Sequence, residues 1–207
     1  MNTNLRIETR KFATIHDLRG ISARTMEGHY ENYRGYVTKT NEILDRLAKA
    51  DRTAAHPVYS EFRALKVELP TALAAAKSYE IFFSQLGGKD GKPQGTLAEM
   101  LTRDFGSYQG FLDEFTATAF ASRGWAALVY DLDLKKFVCM LGDTPEKLTV
   151  WNVTPVIVME VSEHSSSSEF GNDRIMYIHA LLENLDWSVV QRNLENALAL
   201  QPVGRPH

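Results

Sequence analysis

One cysteine, Cys139, stands in the 207 residues, so no internal disulfide can be drawn and stability has to come from buried apolar surface. No stretch approaches the roughly 20 apolar residues that cross a bilayer, and no fixed-period repeat is visible. A basic excess is also missing. With 23 Lys and Arg against 26 Asp and Glu, the formal charge is −3, which gives phosphate backbones and anionic lipids nothing to follow. Nucleic acid and membrane are therefore excluded as partners. Charges at Arg6, Glu8, Arg10 and Lys11 fill the place where a signal peptide needs an apolar run, and the expected location is the cytoplasm. What the chain does have is 44% apolar and 24% charged side chains, enough to bury a core as one domain or two small lobes.

Hydrophobic spacing organises the first half. Met26, His29, Tyr33, Tyr36, Val37 and Leu44 fall mostly on one face of a long amphipathic helix over Ile21 to Arg46. His56-Pro57 interrupts, Tyr59 to Val67 reads as a short helix, and Pro70 is expected to open a second long helix, Thr71 to Leu86, stopped by Gly87-Gly88. Lys89 to Gly95 reads as a linker between a domain at 1–88 and another at 89–207. Beyond it, Leu97 to Asp104 and Tyr108 to Phe120 read as helices. Trp125 to Tyr130, Phe137 to Leu141 and Pro155 to Val161 read as three antiparallel strands, and helices return over Asp173 to Leu185 and Ser188 to Leu200. The predicted class is α+β: an antiparallel helical hairpin, then an α/β lobe with a three-stranded antiparallel sheet.

Several strings, spread over Ile15 to Leu198, carry a resemblance. They are Ile21-Ser22-Ala23-Arg24-Thr25-Met26-Glu27-Gly28-His29-Tyr30, Tyr36-Val37 with Asn41, Phe82-Phe83, Leu86-Gly87-Gly88, Phe105-Gly106-Ser107, Gly124-Trp125, Thr154-Pro155 and Glu163-His164. Downstream, Asn172, Arg174, Tyr177 and Asp186-Trp187 keep the same register. Together these resemble the iron/manganese superoxide dismutase family. The resemblance implies one iron or manganese ion per chain, superoxide as substrate, and a homodimer in which Glu163 reaches toward the partner's site. Tyr177 and Asn172 are candidates for the same interface.

The resemblance puts His29, Tyr79, Glu160 and His164 at the four ligand positions, where the family has histidine, histidine, aspartate and histidine. It is therefore a divergent match. Ser162 replaces a tryptophan, Ser165-Ser166-Ser167-Ser168 replaces an aromatic pair, and a glutamine is missing, with Ala75 at one of its two places. Tyr33 stands where a histidine is expected, in a stretch one residue shorter than usual, which leaves Tyr36 as the surviving proton-relay residue.

The residue types support a metal reading on their own, since two histidines and a carboxylate are a common non-haem iron set. Glu160 reaches about 1.5 Å farther than aspartate would. Buried at a strand end, it needs a metal, a cation such as Arg174, or solvent. Tyr79 would have to lose a proton of ordinary pKa about 10 to ligate, and the competing reading is a packed ring filling the lost histidine's space. Weak dismutase activity is the expectation, the alternatives being a metal-free pseudoenzyme acting as a dimeric scaffold and a ferric tyrosinate centre. His16, His56, His179 and His207 match no ligand position, and the serine run reads as a loop.

Overall fold

The computed structural model describes residues 6–89, 91–162, 169–171 and 173–204. Helix α1, Ala23–Lys49, starts where the Ser22 side chain accepts from the Thr25 N–H, and it buries Met26, His29, Tyr33, Val37, Thr40 and Leu47 on one side. Helix α2, Glu61–Ser84, is capped by Ser60 and packs against α1. It runs unbroken through Pro70, against the expected break. Leu65, Ala72, Ala76, Tyr79 and Phe83 keep one helical phase on both sides of the proline and are all buried, so a single axis serves the packing. Pro70 and Lys66 lie on the exposed side, where water can serve the carbonyl that the proline leaves without an N–H partner.

Helices α3, Gly95–Phe105, and α4, Tyr108–Ala121, follow. Gly106, at φ 80°, closes α3, and Ser107 caps α4. Strands β1, Trp125–Asp131, β2, Lys136–Gly142, and β3, Val153–Glu160, form an antiparallel sheet in the order β2-β1-β3. The register pairs Trp125 with both Gly142 and Glu160, which sets Glu160 at the sheet end where the central strand begins. It shifts between Leu128 and Val129, opposite Pro155, a residue with no N–H for a ladder. Helices α5, Arg174–Glu183, and α6, Trp187–Leu198, complete the fold, capped by Asp173 and Asp186. No described helix is long and apolar enough to cross a membrane.

One apolar core runs through the hairpin and the sheet, joining Val37, Phe82, Phe83 and Leu86 to Trp125, Leu128, Ile157, Tyr177 and Leu181. Gln85 ties them by hydrogen bonds. Buried at the end of α2, its amide donates to the Val158 carbonyl and accepts from the Val158 N–H at 3.2 Å, acting as a short extra strand on the open side of β3. Its carbonyl accepts from Asp186 N at 2.7 Å, while Gly87 and Gly88 donate to Asn184 O at 2.9 and 3.1 Å. A Cβ on Gly88 would lie 2.2 Å from the Leu185 carbonyl oxygen. The backbones meet here because residue 88 has no side chain. Gly88→Ala is expected to lower unfolding free energy by about 2 kcal/mol in urea titration, and an unchanged midpoint would refute this close-contact account.

Candidate functional site

His29 comes from the buried face of α1 and Glu160 from the end of β3, with 2% and 4% of their surfaces exposed. The packing of the hairpin on the sheet brings them together. His29 Nδ1 lies 3.0 Å from Glu160 Oε2, although its N–H is not aligned as a hydrogen bond. On the other side of the ring, Nε2 lies 2.8 Å from the Tyr177 hydroxyl, brought in by α5. Burial pushes the Tyr177 phenol well above its ordinary value, and the Glu160 charge adds to this, so the phenol keeps its proton. A protonated phenol both donates and accepts, so the direction of its bond to Nε2 follows the tautomer of the imidazole. Ser162 N donates to Glu160 Oε1 at 3.3 Å.

Tyr79, on α2, is buried among rings: edge-on to Trp125 at 4.9 Å, stacked on Phe83 at 5.6 Å, and 6.3 Å from the His29 ring centre. Burial, then the Glu160 charge, drives its phenol far up. Tyr36 is half-buried, 6.2 Å from the Tyr79 ring, and lines a cavity of about 570 Å³ shared with Lys39, Arg46 and Tyr59. Tyr33 is committed elsewhere. Its hydroxyl accepts from Arg10 N and donates to Glu80 Oε1, both at 3.0 Å, rather than to the His29–Glu160 pair. Tyr177 packs inside this chain, fully buried, and not on an open face. Glu163, His164 and Asn172 lie outside the described residues, as do the four serines and His207. His16, His56 and His179 are exposed. The Arg174 guanidinium donates to backbone carbonyls, including Ser122 at 2.6 Å and Val161 at 2.9 Å.

Two functional contacts had no clear sequence signal. The Tyr177 bond to His29 spans 148 positions and follows from the fold alone. Glu169 accepts from Ser22 N at 2.9 Å, Ser22 Oγ at 3.0 Å and Thr25 Oγ1 at 2.6 Å, which fastens the start of α1 to the chain just ahead of α5. A carboxylate is favoured at that helix N-terminus. Partial burial pulls the Glu169 carboxyl up, but the bonds from Thr25 and Ser22 outweigh it and hold the group below its usual 4.5.

The donors present suit iron or manganese, because imidazole and carboxylate are ligand types both metals accept. At 3.0 Å from each other, His29 Nδ1 and Glu160 Oε2 are the two atoms that would hold such an ion. Among the described residues no group of three or more His, Cys, Asp and Glu is gathered.

The family model for iron/manganese superoxide dismutases, C-terminal domain, matches residues 93–193. The superoxide dismutase [Fe] of Aquifex pyrophilus is 35% identical over 199 residues, covering 93% of each chain. That of Aquifex aeolicus (strain VF5) is 36% identical over 188 residues, 88% of each. Superoxide dismutase [Mn] 2 of Halobacterium salinarum is 34% identical over 184 residues, 87% of this chain and 90% of the other. A helical hairpin docked on a three-stranded antiparallel sheet, with a histidine and a carboxylate buried at the junction, thus has both its architecture and its relatives in one class. The chain belongs to the iron/manganese superoxide dismutase family.

Tyr177→Phe strips His29 Nε2 of its hydrogen-bond partner in a dry site and is expected to cost about 1–3 kcal/mol in urea titration; a loss below the lower bound would mean that the bond contributes little. For Glu169 the sign is that of a depressed carboxyl. Its stabilisation is complete above about pH 4.5 and fades as pH falls through the lower folded value. Glu169→Gln should therefore flatten part of the acid-side decline in melting temperature, and identical pH profiles for the two proteins would refute that role.

Proposed function

We propose that this chain is a superoxide dismutase-like protein whose iron or manganese ion is held by His29, Glu160 and His164 between the helical hairpin and the sheet. The observation that carries the reading is the approach of His29 and Glu160, buried, from the two lobes to 3.0 Å. When bound, the ion would supply the one-electron oxidation and reduction by which superoxide becomes oxygen and peroxide. The chain's own residues govern the rest. Trp125, Tyr79 and Phe82 close the site with apolar rings and keep water from the pair. Peroxide formation consumes two protons, and Tyr36, half-buried at a solvent-facing cavity and beside Tyr79, is placed to pass them inward. Tyr79, which keeps its proton, is a spacer and not a donor to the ion in this reading. Turnover is slow, because the longer Glu160 side chain and the Tyr177 hydroxyl both crowd the histidine. A homodimer with Glu163 at its interface, in the cytoplasm, completes the proposal.

Protein purified without added metal is expected to hold close to one iron or manganese per chain by mass spectrometry, with weak dismutase activity that His164→Ala abolishes together with the metal. A second reading rests on a different contact. Tyr177 at Nε2 and Glu160 at Nδ1 engage both nitrogens of His29 with no ion required, as in a dismutase fold kept for binding or scaffolding. It requires a folded, metal-free protein whose unfolding midpoint is the same with and without chelator, since no ligand-linked stability exists to lose. That result would end the dismutase proposal.

A further inference from the structure

Tyr33 is a fully buried tyrosine whose phenol is held from two sides, and the dismutase reading does not use it. The Arg10 backbone N–H donates to its oxygen at 3.0 Å, so the phenol proton is aimed at Glu80 Oε1, also at 3.0 Å. The other Glu80 oxygen is 3.4 Å from the Arg10 guanidinium, which steadies the carboxylate. Oxidisable rings flank the phenol. Tyr79 lies 6.4 Å away on the side of His29, itself 6.3 Å from Tyr79, and half-buried Tyr30 lies 5.8 Å away on the outer side.

We propose that Tyr33 is a redox-active tyrosine, which gives one electron to a one-electron oxidant and its proton to Glu80. A phenol that loses an electron becomes a very strong acid, so the electron leaves readily only where a base already sits within hydrogen-bond reach of the proton. Glu80 is that base. The Tyr33 O–H bond breaks, an O–H bond forms on Glu80, the oxidant is reduced by one electron, and a neutral phenoxyl radical remains on the buried ring. The electron leaves toward the oxidant in solution, and half-buried Tyr30, 5.8 Å away, is the ring on that outer side. Burial also pushes the Tyr33 phenol up to about 12, so it is not ionised in advance at neutral pH and the proton has to move with the electron. The chemistry needs no metal and stands apart from the dismutase proposal.

The test uses the full chain carrying Tyr59→Phe and Trp151→Phe, which removes two oxidisable rings that are 79% and 92% exposed and would react first. Flash-generated ruthenium(III) tris-bipyridine serves as the oxidant, with phenoxyl formation followed by transient absorption and by electron paramagnetic resonance of frozen samples. Tyr33→Phe is expected to cut the radical yield about tenfold, and Glu80→Gln to slow its formation about tenfold, with Glu80→Asp restoring most of the rate. Restoration by aspartate separates proton acceptance from a packing effect. Radical yield and rate unchanged in both Tyr33→Phe and Glu80→Gln would overturn the proposal. Should Tyr33→Phe fail to fold, the Glu80 pair decides alone: equal rates in Glu80→Gln and the parent overturn it.

Discussion

A carboxylate at the inner end of a buried strand is the constraint around which the molecule is arranged. Glu160 is almost wholly removed from water, and an isolated charge there would cost several kcal/mol. The fold answers by bringing His29 to it from the helical hairpin, with Ser162 N on the other oxygen. Each structural choice nearby serves that approach. The β1–β3 register puts Glu160 opposite Trp125, the Gln85 amide locks α2 onto β3 two residues before Glu160, and Glu169 fixes the start of α1 one and a half turns ahead of His29.

The surroundings sharpen the electrostatics. Phe82, Tyr79, Trp125 and Tyr177 wall the pair with rings, which lowers the local dielectric and makes any contact inside stronger and any unpaired group more costly. The same dryness keeps the phenols of Tyr79 and Tyr177 protonated, so neither adds negative charge beside Glu160.

Much of this was legible from periodicity and turn chemistry. The α1 face containing His29 and Tyr33, the glycine stop after α2, the three strands and the position of Glu160 at a strand end all follow from spacing 3.6 or 2 and from local caps. Pro70 misled because local propensity marks a helix start, whereas the apolar phase of Leu65, Ala72 and Tyr79 across it decides for one continuous helix. The partners of Tyr33, Tyr177, Gln85 and Glu169 were not legible. Each bond joins residues at least 23 positions apart, and no local pattern encodes which group a packed helix will meet.

Helix α1 then emerges as a polar spine within an apolar core. His29 and Tyr33 lie four residues apart on its buried face, and each meets a carboxylate from a different element, Glu160 from β3 and Glu80 from α2. One turn of helix separates the two, so a change in how α1 seats is felt by both. Neutralising Glu160 would leave the imidazole buried beside a weaker partner, while neutralising Glu80 would release the phenol and the Arg10 segment that leans on it. The first change disturbs the candidate ion site and the second the tyrosine that neighbours it through Tyr79. Paired acids on one helix face thus give the two sites a shared mechanical support and separate chemistry.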